Sequence, residues 1–346
     1  QVYDAPAVRQ DTGAAQTALA ADDKGTLALG EYQGVDCIRA RDGLVYAAAY
    51  DGAALKKRRS DLVRTDGGHT AAVLTVDGEL TGFAFDGSGD LWLSILTPGG
   101  GSLCRAAHDS WGTAVEQVVT QIDGAPLGAV SAVEAAPDGR IYFAVAAAAG
   151  AADGLESTLR TELLAHTGTG CVYVYDPAAR SVQKVLGGVA GAAGLALSPD
   201  GSTLYVSDLA SRCVWRVSAD AQDLTAGGKN CSSFVSGLPG YPGALAMDPD
   251  GTLYIGYRWA RSSWLEKNAG STLLRGIALR AGRNLQEKLF SLPADAPCAE
   301  AVDTADGSWQ RVVSGRGAGS VTALCPVESR LYLGLAGSEK VRSANL

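Results

Sequence analysis

Six copies of a tight turn followed by an aromatic residue divide this chain at nearly regular intervals. The turns read PDG, RDG or a close variant, and the aromatic residues are Tyr46, Trp92, Tyr142, Tyr205, Tyr254 and Tyr332. Their separations are 46, 50, 63, 49 and 78 residues. A base period of about 48 residues suits a unit of four short strands, and the two longer intervals indicate insertions.

The copy around Tyr205 shows the unit most clearly. Residues 193–217, AGLALSPDGSTLYVSDLASRCVWRV, indicate three strands and two turns: a short apolar run (LAL), a β-branched and aromatic run (TLYVSD) and a last strand (CVWRV). A single four-stranded sheet would leave its faces exposed, whereas six sheets stacked radially bury them and leave short edges. The repeat therefore predicts an all-β, six-bladed β-propeller with four-stranded blades. We expect one domain over 1–346, with 1–30 forming an N-terminal arm or a ring-closing strand.

Composition limits the partners of the chain. The net charge is −8, and no apolar run approaches the roughly 18 residues of a membrane span. The one basic cluster, Lys56–Arg59, is followed by Asp61 and is interpreted as a solvated loop, so no nucleic-acid partner is expected. The sequence begins at Gln1, which is typical of a processed product. We therefore expect an extracytoplasmic location, whether secreted, periplasmic or surface-anchored.

Seven cysteines are present, without a CxxC pair and without a histidine at ligand spacing, which argues against a zinc site. Cys213 and Cys231 flank a loop between two expected strands. A disulfide between them and two buried free thiols are both compatible with this spacing.

The innermost strand of each propeller blade runs along the central channel, and its first residues lie at the channel mouth. Counting back eleven or twelve residues from the aromatic residue selects Thr81, Ser131, Ala193 and Gly243. Blades one and six have shorter turns, so a count of ten selects Asp36 and Thr322 there, with Val35 and Val321 as the alternatives. Only one of the six selected positions carries a carboxylate.

Both insertions fall on the same face as this mouth. Residues 146–170 of blade three hold a segment with leucines at 155, 159, 163 and 164, which predicts a short lid helix. Residues 257–270 of blade five hold the cluster Tyr257, Arg258, Trp259, Arg261 and Trp264. Such a cluster suits flat or anionic ligands, and it is also typical of a packed rim loop.

Two further residues are candidates for catalysis. Asp208 ends the second strand of blade four, where it could act as a base or bind a cation, or instead cap the following turn. His166 precedes a strand near the expected lid and is the best candidate base, with a hydrogen-bonded loop histidine as the alternative. No GxSxG nucleophile elbow accompanies them.

Residues 166–257 carry the elements HTGTG, YDP, GLALSPDG, LPGYP and DPDG in this order. In these elements the chain resembles the strictosidine synthase-like proteins, which are six-bladed propellers related to the gluconolactonase and arylesterase families. Weaker matches occur at VDCIRARDGLVYAAA and SVTALCPVESRLYLGL.

The resemblance implies a central divalent metal in the lactonase branch, at positions that here read Asp36, Ser131, Ala132, Ala193 and Gly243. Calcium prefers six to eight oxygen ligands, so we expect no cofactor, with calcium on Asp36 as the alternative. The resemblance also implies an acid–base glutamate in the last blade, where this chain has Thr322. A threonine hydroxyl cannot replace it unaided, so strictosidine synthase activity is not expected.

These observations favour a small-molecule-binding propeller whose catalytic positions are largely lost. The expected ligand site is the mouth, formed by Asp36, Thr81, Ser131, Thr322, Tyr257, Arg258, Trp259 and Arg261. One alternative is a divergent hydrolase of the lactonase or arylesterase type that uses Asp36, Asp208 or His166. A second alternative is a protein-interaction propeller.

Overall fold

The computed structural model describes residues 1–5, 17–54, 56–66, 68–290, 297–314 and 320–346, with only the backbone for 22–25, 58 and 66. Its strands form six sheets around a common axis, each first strand contacting the first strand of the next sheet and the sixth contacting the first. The predicted six-bladed β-propeller is thereby confirmed.

Each blade has four antiparallel strands, named from the channel outward. Blade one is β3 (Gly34–Arg41), β4 (Leu44–Ala53), β5 (Lys56–Asp66) and β6 (His69–Val76). Blade two is β7 (Glu79–Phe85), β8 (Leu91–Thr97), β9 (Gly100–Ala106) and β10 (Glu116–Val119). Blade three is β13 (Val130–Ala135), β14 (Ile141–Val145), β15 (Gly170–Asp176) and β16 (Ser181–Val189).

The second half of the ring follows the same plan. Blade four is β17 (Ala192–Leu197), β18 (Thr203–Asp208), β19 (Cys213–Ser218) and β21 (Ser232–Val235). Blade five is β22 (Gly240–Met247), β23 (Thr252–Ala260), β24 (Ala299–Asp303) and β25 (Trp309–Ser314). Blade six is β26 (Val321–Val327), β27 (Arg330–Leu335), β28 (Lys340–Asn345) and, from the start of the chain, β2 (Asp22–Ala28).

Short strands extend this frame. β1 (Thr17–Ala20) pairs in parallel with β25, β20 (Leu224–Thr225) pairs in parallel with β16, and β11 (Gln121–Ile122) forms a hairpin with β12 (Ala125–Pro126). Blade six is completed by β2, which pairs antiparallel with β28. Strands from near the start and from the end of the chain are thus joined within one sheet, in which β2 is the outermost strand.

The six repeat aromatics occupy equivalent places. Each lies on the second strand of its blade, opposite a first-strand residue, as Tyr142 lies opposite Glu134 and Tyr205 opposite Ala196. The turn between these strands supplies the spacing that was visible in the sequence. All six side chains are buried or partly buried between blades, so the repeat reflects blade packing.

Helices cover one face of the ring. The predicted lid helix is present as α1 (Leu155–Ala165), with all four leucines buried. Blade five carries three helices that the sequence pattern did not reveal: α2 (Ser263–Lys267), α3 (Thr272–Arg280) and α4 (Arg283–Leu289). Helix α3 packs against α1, so the two insertions form one cap. Short 3₁₀ turns occur at His108–Ser110 and Ala151–Asp153.

All seven cysteines are free thiols. On β19, Cys213 pairs with Asp208, whereas the strand that follows Cys231 pairs near Arg216, at the other end of β19. The disulfide alternative for Cys213 and Cys231 is therefore not realised. None of the helices in the described part of the chain combines the length and the hydropathy that a membrane span requires.

Candidate functional site at the channel mouth

A β-bulge interrupts the first strand of every blade at the channel mouth. In blades one and two the pairing shifts between Val35 and Cys37 and between Leu80 and Gly82. A bulge leaves one residue unpaired and re-aims its side chain. The bulge residues are Asp36, Thr81, Ser131, Ala193 and Thr322, and the wider bulge of blade five includes Gly243. Counting back from the aromatic residue had selected these same positions, with Asp36 and Thr322 rather than Val35 and Val321.

The channel between the first strands is narrow. It encloses a volume of about 40 Å³, lined by the bulge residues and their neighbours. A buried water needs about 10–15 Å³ of such volume, so the channel holds on the order of three waters. Drug-sized ligands occupy pockets of roughly 300 Å³ or more. The channel itself is therefore too small for a sugar or lactone.

The mouth hydroxyls are committed to hydrogen bonds within the ring. Ser131 Oγ donates to the main-chain oxygen of Ala192 at 2.6 Å, and Thr322 Oγ1 donates to that of Val35 at 2.5 Å. Both bonds join one blade to the next. Thr81 Oγ1 lies 2.8 Å from Ser94 Oγ within blade two. These three residues, predicted as ligand contacts, act in this structure as ties between strands.

Asp36 forms an ion pair at the centre of the mouth. Lys57 Nζ, at the start of β5, lies 2.6 Å from Asp36 Oδ2 and 3.3 Å from Glu79 Oε2. The side chains of Lys57 and Asp36 are each 3% exposed, and the ammonium also lies 4.8 Å from the centre of the Tyr50 ring. Burial lowers the pKa of Lys57, but Asp36 and Glu79 raise it more, so the net pKa lies above its ordinary value. Lys57 is therefore a fixed positive charge.

A second buried ion pair joins the lid to blade five. Arg258, at the end of β23, donates from Nη2 to Glu156 Oε2 at 2.6 Å, and Arg160 Nε lies 3.4 Å from Glu156 Oε1. Burial raises the pKa of Glu156, yet the Arg258 and Arg160 charges bring the net pKa below its ordinary value. The Arg160 guanidinium also lies 5.4 Å from the Trp259 ring centre. Arg258 and Trp259 thus hold the lid in place.

Glu79 connects the two ion pairs. The same Oε2 that faces Lys57 accepts a hydrogen bond from the main-chain N–H of Leu155, the first residue of α1, at 3.3 Å. A carboxylate at a helix N-terminus is favourable because the free N–H groups and the helix dipole both attract negative charge. Gly154, at φ 81°, lets the chain pass close to Glu79, where a Cβ atom would collide with the carboxylate.

A further ion pair lies on the first strands of blades one and three. Arg39, three residues after Asp36, donates to Glu134 Oε1 at 2.6 Å and to the main-chain oxygens of Phe83 and Val133. Burial raises the pKa of Glu134 and Arg39 opposes that effect. The Arg39–Glu134 pair therefore joins the first strands of blades one and three across the first strand of blade two.

Beside the mouth lies a cavity of about 350 Å³, between blades one and two and under the 3₁₀ turn that precedes α1. Its charged lining is Lys57 and Arg59 from β5, with Asp77 and Glu79 before and at the start of β7. Leu96, Thr97, Pro98, Ala151 and Ala152 complete the wall. This volume lies within the ordinary size range of small-ligand pockets and opens at the buried ammonium.

None of the predicted ligand-site residues lines this cavity, and three of them have partners in blade five and its helices. Tyr257 lies on β23, where its hydroxyl donates to Glu300. Arg261 donates to the main-chain oxygen of Leu238 and to Glu266. Trp259 packs on Phe290 with ring centres 5.5 Å apart. The segment from Tyr257 to Trp264 is thus the end of a buried strand and the start of α2, and its aromatic residues form the cap rather than an open binding loop.

Asp208 and His166 are also explained by local structure. Asp208 is 1% exposed and accepts hydrogen bonds from the Ser211 N–H at 3.1 Å and from Trp215 Nε1 at 3.0 Å, and burial raises its pKa. It caps the turn after β18. His166 ends α1 at φ 50°, and burial, followed by the charges of Arg212 and Arg275, lowers its pKa to about 4. Neither residue lines the mouth cavity.

Sequence reasoning missed Lys57, Glu79 and Glu156. The basic run Lys56–Arg59 was interpreted as a solvated loop, but it lies on β5 and buries the Lys57 side chain. One signal was available: a third strand begins at the mouth, as a first strand does, so a lysine there faces the Asp36 carboxylate. Glu156 was not among the predicted site residues, and it is 3% exposed.

The residues at the mouth do not fit the divalent metal that the family resemblance implies. Of the positions concerned, Ser131 is bonded to Ala192, and Ala132, Ala193 and Gly243 offer no side-chain oxygen. Asp36 faces a lysine ammonium. Within the described ranges no group of three or more His, Cys, Asp or Glu side chains could hold a metal ion.

The ring, its bulged inner strands and its capped mouth define a six-bladed β-propeller. Residues 110–264, somewhat less than half of the chain, match the family model described as "SMP-30/Gluconolactonase/LRE-like region". The coarse resemblance drawn from the sequence is thereby confirmed, whereas the finer resemblance to the strictosidine synthase-like proteins gains no support from this match.

Solved structures of similar shape cover nearly the whole chain. A gluconolactonase from Xanthomonas campestris has a TM-score of 0.63 at 15% identity, covering 99% of this chain and 98% of its own. A luciferin-regenerating enzyme has 0.60 at 16%, covering 93% and 95%. Regucalcin from Agrobacterium tumefaciens, a calcium-binding protein, has 0.59 at 14%, covering 96% and 95%. No curated protein sequence matches. Identities this low establish the fold alone.

Proposed function

We propose that this protein binds a small polar molecule in the cavity beside the channel mouth. The observation that carries the proposal is the pairing of a 350 Å³ cavity with the buried Lys57 ammonium and the Glu79 carboxylate on its wall. Charged groups held by ion pairs in a concave site fix the orientation of a ligand without reorganisation. The channel, at about 40 Å³, offers no comparable space.

The lining favours a ligand that carries both hydroxyl groups and an anionic group. Arg59 and Lys57 present N–H donors from one wall, and Asp77 and Glu79 present acceptors from the other. Leu96, Pro98 and Ala152 add a small apolar surface. Sugar acids and their lactones have this combination of groups, and the match of residues 110–264 to a gluconolactonase-like family model supports this class.

A hydrolase of the lactonase or arylesterase type is the alternative, and Glu79 is the group that favours it. Its side chain is 19% exposed and is a carboxylate of the cavity wall, where it could serve as a general base. Asp36 is held by Lys57, Asp208 caps a turn and His166 ends a helix, so those candidates support the alternative less. Strictosidine synthase activity is not proposed, because Thr322 stands where that family's acid–base glutamate would be and donates its hydroxyl to the main-chain oxygen of Val35.

The test is ligand binding to the wild-type protein and to a cavity-filling variant. A panel of sugar acids, lactones and neutral sugars is screened by thermal shift, and hits are measured by titration calorimetry. Ala152→Trp, which fills the cavity, abolishes binding and leaves the Tm unchanged. Ala179→Trp, an equally exposed alanine in a turn of blade three, retains binding.

Two results would contradict the proposal: no binding by any member of the panel, or binding that Ala152→Trp leaves intact. Turnover of a lactone that Glu79→Gln abolishes would establish the hydrolase instead. Capture of a folded protein by the mouth face, with no small-molecule binding, would favour a protein-interaction propeller.

A further inference from the structure

The position of the Lys57 ammonium is that of a bound cation. Asp36 Oδ2 and Glu79 Oε2 both point at Nζ, at 2.6 and 3.3 Å, from the first strands of neighbouring blades. The face of the Tyr50 ring lies on a third side. Two carboxylates from different strands therefore converge on one point, and a single positive charge occupies that point.

The second carboxylate oxygen of Asp36, beside the Lys57 ammonium, can still accept a hydrogen bond or bind a cation. This oxygen, Oδ1, has no hydrogen-bond partner among the described residues, and water cannot replace one because the side chain is only 3% exposed. A buried carboxylate oxygen without a partner is costly and unusual. Calcium binds carboxylates through one or both oxygens, whereas the ammonium uses one.

We propose that Lys57 is a covalently attached substitute for a divalent cation, and that its removal converts Asp36 and Glu79 into a divalent-cation site. The substitution makes the ring independent of calcium, because the charge that neutralises the mouth carboxylates belongs to the chain. Once the lysine side chain is removed, Asp36 supplies two oxygens and Glu79 at least one. The adjoining cavity supplies an entry path and space for the waters that complete six to eight ligands.

The experiment compares wild type, Lys57→Ala, the double variant Asp36→Asn/Lys57→Ala and the control Lys184→Ala. Lys184, on β16, also pairs with a carboxylate, that of Asp223 at 2.5 Å, but the Lys184 side chain is 42% exposed. Thermal unfolding is measured in EDTA and in calcium chloride. Terbium emission, excited through the protein's aromatic residues, reports an ion near Tyr50.

Neither calcium nor EDTA changes the Tm of wild type, the double variant or Lys184→Ala. Lys57→Ala is destabilised in EDTA, and calcium at about 100 times its Kd raises its Tm by on the order of 5 °C. Sensitised terbium emission appears with Lys57→Ala alone. Together these results would establish Lys57 as the resident cation of the mouth.

Three results overturn the proposal. In the first, the wild type itself binds calcium, so that its Tm is higher in calcium chloride than in EDTA. In the second, Lys57→Ala folds but gains no calcium or terbium response. In the third, Lys57→Ala fails to fold even in calcium, whether or not the double variant folds, since the ion then does not replace the ammonium.

Discussion

Arg258 donates from both Nε and Nη2 to a single carboxylate oxygen of Glu156, at 2.9 and 2.6 Å, across a separation of 102 residues. The two side chains are 5% and 4% exposed, so neither charge has water as an alternative partner. The pair therefore ties the lid of blade three to the second strand of blade five.

Removing one member of this pair is expected to be costly. Arg258→Met leaves Glu156 buried with only Arg160 as its partner and lowers the free energy of unfolding by about 3–5 kcal/mol. Glu156→Gln/Arg258→Met recovers much of this loss because the buried carboxylate is removed together with Arg258, while Arg160 keeps its contacts with the Trp259 and Phe290 rings. Urea unfolding of the three proteins measures both effects. A loss below about 1 kcal/mol, the value typical of an exposed pair, would contradict the role of the pair.

The hydroxyls at the channel mouth are expected to contribute stability rather than ligand affinity. Ser131→Ala and Thr322→Val each remove a bond between neighbouring blades and leave a main-chain oxygen without its donor, which costs about 1–2 kcal/mol. Ligand affinity stays unchanged in both variants. Chemical denaturation and calorimetry measure the two properties, with Ser233→Ala on the exposed part of β21 as the control. Loss of ligand binding without loss of stability would contradict this expectation and would show that Ser131 and Thr322 contact the ligand.

His166 makes the stability depend on pH. Its folded-state pKa is about 4 and its ordinary value is 6.5, so the folded protein favours the neutral imidazole. This stability is fully present above pH 6.5 and is lost as the pH falls towards 4, by up to about 3 kcal/mol. His166→Asn cannot be protonated there, and asparagine tolerates the left-handed backbone.

Denaturation of the wild type and of His166→Asn is measured at pH 6.5 and at pH 4. Because the carboxylates titrate in both proteins, the difference between the two isolates the contribution of His166 to the free energy of unfolding. The wild type is expected to lose on the order of 3 kcal/mol more than the variant over this interval. Parallel losses would mean that His166 is not responsible.

Helix α3 presents apolar side chains to solvent. Leu273 is 73% exposed and Ile277 is 55% exposed. Leu273→Gln/Ile277→Gln removes no buried contact, so the free energy of unfolding changes by less than about 0.5 kcal/mol while retention on a hydrophobic column falls. Leu159→Ala on the buried face of α1 is the contrasting variant and costs about 2–5 kcal/mol. A large loss of stability in the first variant would place these side chains inside a packed interface.

The propeller could be predicted because its turns and aromatics recur in the local sequence. Tyr142 and Tyr205 mark equivalent places on equivalent strands, and the count back to Ser131 or Thr322 works because the first-strand bulge lies a nearly constant number of residues before the aromatic residue. Periodicity of this kind depends only on residues close together in the chain. The ring, the lid helix and the mouth positions were therefore all accessible from the sequence.

The side chains with which the mouth residues pair could not be predicted from the sequence. Arg258 has the same sequence surroundings whether it binds a ligand or Glu156, and the choice depends on a helix 102 residues away. Lys57 could not be distinguished in the sequence from the three basic residues around it. The helices α2 and α3 are short and weakly periodic, and the serine caps at Ser262 and Ser271 were the one signal of their starts.

The pairing of β2 with β28 has a consequence for the order in which the molecule assembles. During synthesis β2 leaves the ribosome long before its partner exists, and every other blade can form in the interval from strands that are neighbours in sequence. The final contact has the greatest sequence separation, and forming it is slow because loop closure opposes it. Until β28 is made, β2 has no partner strand, and the nascent chain is an open arc whose sixth sheet is incomplete.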